Sequence, residues 1–220
     1  PRYDVWLHVV FGRIEDGGDP FALNWSFDLL ASEMADLFVA TMERSGSDLQ
    51  PFTDYQVGIG LETLLFNSHA GVPHELMGGG VSDEQKIAML ASLWPLYRDC
   101  LDTRSPTGLG HLNETGHDRL AYVAYMLWDV SPYDVMAKKT AARWETLMDV
   151  LSNALRLSNP ACVESALHGL GHLAGSHRGF GAGAQPEQAR TVITDWLAEK
   201  PSVRPELLAY AANARDGCIQ

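Results

Sequence analysis

Glu164, His168 and His172 stand four residues apart. On an α-helix that step returns to nearly the same face, so the three side chains would form one stripe. Two imidazoles at i and i+4 can share a divalent metal such as zinc, and a carboxylate is a common third ligand. Val163, Leu167, Leu170 and Ala174 occupy other positions around the helix, so the stripe is expected to face solvent or a groove. His177, in the loop that follows, would offer a further ligand. The spacing lacks the general-base Glu of H-E-x-x-H. Surface histidines hydrogen-bonding to a neighbouring helix account for the same pattern, and both readings stand at this point.

Other clusters carry less. His111 and His117 flank Asn113 and Glu114, and His69 lies near His74 and Glu75; turn capping and loop polarity explain both groups as well as metal chemistry does. Gly179-Phe180-Gly181-Ala182-Gly183 has the look of a nucleotide loop. A dinucleotide loop must follow a strand, and a phosphate-binding loop must carry Lys and Ser/Thr, so this segment reads as a flexible connection. Ser176-His177 lacks the G-x-S-x-G context of a nucleophile elbow. Cys100 and Cys162 fall on apolar helical faces, which is poor placement for a reactive thiolate. No catalytic residues are assigned on these grounds.

The elements that must position these residues are helical. Phe27, Leu30, Ala31, Met34, Leu37, Phe38 and Thr41 recur at steps of three and four, as one stripe of a helix, with Gly46 as its stop. Thr53–Gln56 and Ser82–Gln85 have capping-box spacing and open two more helices. Gly58 and Gly60 weaken the first of these by about 1 kcal/mol each against Ala, a loss that close packing would offset. Pro95 should kink the second, because it removes a donor and clashes with the preceding turn. Residues 3–11 fit either a strand or a helix, since short apolar runs are not settled by period alone.

The last third is the most regular. Trp144, Leu147, Leu151 and Leu155 mark a long amphipathic helix, and Asn159-Pro160 is a cap with Pro at the first helical position. Val163, Ala166, Leu167 and Leu170 mark the next. Val192, Ile193 and Trp196 mark a third, and Leu207, Leu208 and Ala211 a fourth. Asn159-Pro160 and Lys200-Pro201 occupy equivalent turns one HEAT-length period apart, roughly 40–47 residues. The run from Asn159 to His172 resembles the second helix of a HEAT repeat. Residues 125–130 and 165–172 more broadly resemble uncharacterised bacterial proteins, for which no activity is implied. The expected fold is all-α, a HEAT-like α-solenoid of antiparallel hairpins at least over 138–216. Residues 1–110 form an acidic, mostly helical N-terminal part and 111–220 the remainder, within one continuous domain.

Composition narrows the function classes. The chain has 220 residues and a formal net charge of −12. Residues 1–110 hold 16 Asp and Glu against 6 Lys and Arg, and residues 111–220 hold 12 against 10, nets of −10 and −2. An acidic surface repels nucleic-acid phosphates and anionic lipids, so no nucleic acid or membrane partner is expected, and a basic protein partner is favoured. Three cysteines without C-x-x-C spacing fit a reducing cytosol. The start shows no signal-peptide pattern, and no apolar run approaches the roughly 20 residues of a membrane span. The expectation is a cytoplasmic, non-enzymatic helical-repeat protein that binds another macromolecule. The alternatives are a metal-dependent hydrolase using the His/Glu cluster and an acidic immunity-type inhibitor of a basic toxin.

Overall fold

The computed structural model describes residues 2–20, 27–66, 71–175, 181–199 and 201–219. All regular structure among them is helical: α1 (Arg2–Phe11), α2 (Ala31–Glu43), α3 (Ser45–Asp48), α4 (Asp54–Leu65), α5 (Val72–Met77), α6 (Asp83–Pro95), α7 (Asp102–Arg104), α8 (Arg119–Val130), α9 (Tyr133–Ala137), α10 (Ala141–Ala154), α11 (Pro160–Ala174), α12 (Pro186–Ala198) and α13 (Pro205–Arg215). A π-helical stretch, Leu96–Leu101, joins α6 to α7, and a 3-10 turn, Gly110–Leu112, precedes α8.

Local chemistry sets several of these boundaries. Thr53 and Ser82 each accept the amide of the residue three on, Gln56 and Gln85, whose side chains return a bond to the cap amide. Both boxes open helices where the sequence places them. Asn159 caps α11 by accepting from the Ala161 amide, with Pro160 at the first position. Pro95 ends α6, and the chain continues as a π-turn, one of the ways a helix absorbs a missing donor. The 3–11 segment resolves as helix: Trp6, Val10 and Phe11 are buried together, and the Trp6 indole donates to Thr41 at 3.0 Å. The helix expected from Phe27 starts at Ala31, and Gly46 lies inside α3 rather than stopping α2. Gly58 and Gly60 sit where an added Cβ would meet the Arg119 side chain and the Phe11 ring, so α4 comes close to α8 and α1 there.

The helices pack in two rows. α2 lies on α6 and α6 on α10, while α4 lies on α8, α8 on α11 and α11 on α13. α12 reaches the first row through two indoles: Trp144 donates to Gln188 at 2.6 Å, and Trp196 donates to the Leu155 carbonyl at 3.2 Å. The chain therefore alternates between rows as it advances. One buried apolar cluster runs from Trp6 to Ala214, with both halves of the sequence contributing.

A polar chain crosses this core. Ser165 donates its one hydroxyl proton to the Ala124 carbonyl, so Tyr97 must donate to Ser165 across 2.7 Å. Trp128 in turn donates to Tyr97 at 3.2 Å. Every hydroxyl in the relay is satisfied, which fixes the π-turn, α8 and α11 against one another. No helix of the described residues is long and apolar enough to cross a membrane.

Candidate metal centre

α11 lies against α8, α10, α12 and α13. Of its 15 residues only Pro160 and His172 are not buried. Two glycines permit this crowding. A Cβ on Gly169 would stand 2.8 Å from the Trp128 ring, and one on Gly171 would stand 2.7 Å from Ile219. Each glycine costs the helix about 1 kcal/mol against Ala, and close packing of α8 and the C-terminal segment offsets it.

The predicted stripe is therefore largely internal. Glu164 is 1% exposed and His168 is 0% exposed, whereas a solvent or groove face was expected. The difference arises because α13 and the Gly110–Leu112 turn cover the side of α11 that its own pattern leaves polar. Only His172, with its side chain 11% exposed, keeps partial access to solvent.

The three residues also divide between two groups. Glu164 accepts from the Gly110 amide at 2.7 Å, from the His111 amide at 3.0 Å, and pairs with the His111 ring at Nδ1. It latches the 3-10 turn onto α11. His168 and His172 instead face Asp129 on α8. Nε2 of His172 lies 3.0 Å from Asp129 Oδ1, and Nε2 of His168 lies 3.4 Å from the same oxygen. The two imidazoles are nearly parallel, with ring centroids 5.0 Å apart. One ligand atom from each of Asp129, His168 and His172 fits within 4.8 Å of the others.

Asp129 was missed in the sequence because its partners lie on another helix. The signal that could have found it is Tyr125–Asp129, an i, i+4 pair of oxygen-bearing side chains opposite the i, i+4 pair His168–His172. The His168 and His172 rings hold the Asp129 carboxyl well below the usual carboxylate range. Neither ring nitrogen of His168 makes a well-formed hydrogen bond, although the side chain is fully buried. Buried polar groups are nearly always paired, and an exception calls for a cause.

Further polar groups line the centre. The Tyr125 ring lies 5.2 Å from that of His168, and the Tyr210 ring lies 6.2 Å from it. Tyr210 also stacks on His111 at 4.6 Å, so the Glu164 latch and the Asp129 cluster adjoin through one tyrosine. Behind His172, the buried Lys138 ammonium donates to the His172 carbonyl at 3.2 Å and to Asp134 at 3.3 Å, which ties down the last turn of α11.

The other sequence candidates do not join this centre. His117, His74 and Glu75 are exposed; Glu114 pairs with Arg204 at 2.6 Å. His69 and His177 lie outside the described residues. Of the glycine-rich segment, Gly181 and Gly183 press against the Lys138 and Thr140 backbone, and the Gly183 amide donates to the Lys138 carbonyl at 3.1 Å. That end is a packed connection. Cys100 and Cys162 are buried, and Trp128 and Trp144 are core residues.

No protein-family model matches the chain, and neither a curated protein nor a solved structure does.

Proposed function

We propose that this chain is a metal-binding helical-repeat protein in which Asp129, His168 and His172 hold a first-row transition ion. The observation that carries the reading is His168: a fully buried imidazole with both nitrogens short of a proper hydrogen bond, set against a carboxylate and a second imidazole. Ligand bonds of about 2.0–2.2 Å place neighbouring ligand atoms about 2.8–3.6 Å apart, from octahedral to tetrahedral angles. The two nitrogen–oxygen separations, 3.0 and 3.4 Å, fall in that range. Imidazole and carboxylate together suit zinc, iron, nickel or copper better than magnesium or calcium. Three protein ligands leave a position open, which is the arrangement the hydrolase alternative requires.

Two rows of alternating helices support the HEAT-like reading of the scaffold, in which each hairpin buries its apolar stripe against the next. The metal would then bridge consecutive hairpins.

The test is metal uptake. Purified protein, stripped with chelator and dialysed against zinc, is expected to retain one ion per chain by plasma mass spectrometry. Thermal stability should rise with zinc; at 100 times Kd the gain is about 2.7 kcal/mol. His168→Ala with His172→Ala should abolish both effects. No retained zinc, and a melting curve unmoved by it, would sink the reading.

Binding of another macromolecule through the repeat surface is a second reading, favoured by the row arrangement and by the exposed Asp16, Asp19 and Glu84 of the acidic half. A basic protein partner is expected, and its association rate should fall steeply with salt. Tight binding to duplex DNA would rule this out.

A further inference from the structure

We infer that Tyr125 is a fourth ligand of the Asp129–His168–His172 centre, and that the resulting two-nitrogen, two-oxygen donor set is built for ferric iron. The inference rests on the metal reading above and adds the identity of the ion.

Tyr125 and Asp129 stand one turn apart on α8 and so share a face, as His168 and His172 do on α11. The two pairs oppose each other across the α8–α11 seam, with the Tyr125 ring 5.2 Å from His168 and tilted 59° to it. The Tyr125 ring is seated by Gly110: a Cβ there would stand 2.3 Å from the ring's Cγ. Glu164 holds Gly110 in place through the 2.7 Å bond to its amide. The Glu164 latch therefore positions the Tyr125 ring at the centre.

The chemistry follows from charge. A phenol, with an ordinary pKa of about 10, is protonated at neutral pH. A bound cation is the largest local charge and inverts that preference. On coordination the phenolic proton leaves to solvent and the oxygen binds iron; no electron is transferred, because the ion enters as Fe(III). A trivalent ion gains most from two anionic oxygens, whereas zinc is satisfied by the three other ligands and a water. Tyrosinate is itself an established axial ligand of iron in haem proteins. Tyr210, whose ring lies 6.2 Å from that of His168, acts as a positioning residue.

The experiment loads full-length apoprotein with ferric nitrilotriacetate, removes excess by gel filtration, and records visible and resonance Raman spectra. The expected result is a coloured protein with a phenolate-to-iron charge-transfer band and tyrosinate ring modes. Tyr125→Phe should lose both while still retaining one zinc per chain and its helical circular dichroism. Tyr210→Phe should keep the band and shift its wavelength. Bound but colourless iron, or a band that survives Tyr125→Phe, would overturn the tyrosinate assignment and leave the three-ligand site standing. Failure to retain either zinc or iron would overturn both.

Discussion

Glu164 separates a metal ligand from a structural latch, and its substitution gives a quantitative test. The carboxylate is 1% exposed and accepts from two backbone amides and one imidazole. Hydrogen bonds to a charged group contribute about 1.5–3 kcal/mol each. Glu164→Ala loses three of them and strands two amides, while relieving the burial of a charge. Breaking a buried charged pair in this way typically costs about 3–5 kcal/mol. Glu164→Gln keeps one acceptor oxygen and should cost about 1–3 kcal/mol, from the lost charge and from an amide group facing a donor. With roughly 2–4 °C of Tm per kcal/mol for a chain of this size, Glu164→Ala should melt roughly 6–20 °C lower. Urea unfolding followed by circular dichroism gives the stability, and zinc titration calorimetry gives the stoichiometry. The latch predicts a large loss of stability with zinc still bound at one per chain by Glu164→Gln. The opposite pattern, an unmoved urea midpoint with zinc binding abolished, would refute this reasoning and make Glu164 a ligand.

Three further outcomes are expected. Gly169→Val drives a side chain into Trp128, whose ring already stands 2.8 Å from the position of an added Cβ; it should cost about 1–3 kcal/mol or more in urea unfolding, and a neutral result would show that α8 and α11 are not in close contact. Tyr97→Phe removes the hydroxyl linking Trp128 to Ser165, so it should cost about 1–3 kcal/mol and alter tryptophan fluorescence; an unchanged midpoint would argue against the relay. Burial pushes the Cys100 thiol up to about 11 and raises Cys162 as well. Both should remain protonated and unreactive at pH 8, with Cys100 ionising only as the pH nears 11. Exposed Cys218 alone should then react with a thiol-specific dye in native protein, and rapid labelling of all three would contradict the buried placement.

Helix positions were legible in the sequence wherever local chemistry sets them. The Thr53 and Ser82 boxes, the Asn159-Pro160 cap and the stripe of Trp144, Leu147 and Leu151 each act within a few residues, so their effect is written in adjacent letters. The same local reading failed at residues 3–11. There strand and helix patterns coincide, and helix is favoured by packing of Trp6, Val10 and Phe11 against elements far along the chain. The glycines of α4 and α11 looked like weaknesses; their reason lies in Phe11, Trp128 and Ile219.

The sequence by itself determined that this chain is helical, that it is acidic with the excess in residues 1–110, and that His168 and His172 share a helix face. Each of these follows from composition or from a spacing shorter than two helical turns. Only the tertiary structure decided what those histidines meet. Packing α8 on α11 brings Asp129 to both rings and sets Tyr125 beside His168, while the Gly110–Leu112 turn draws Glu164 away to His111. Periodicity fixes which side chains leave a helix on the same side. It carries no information about which other helix lies on that side, and that choice made the candidate site.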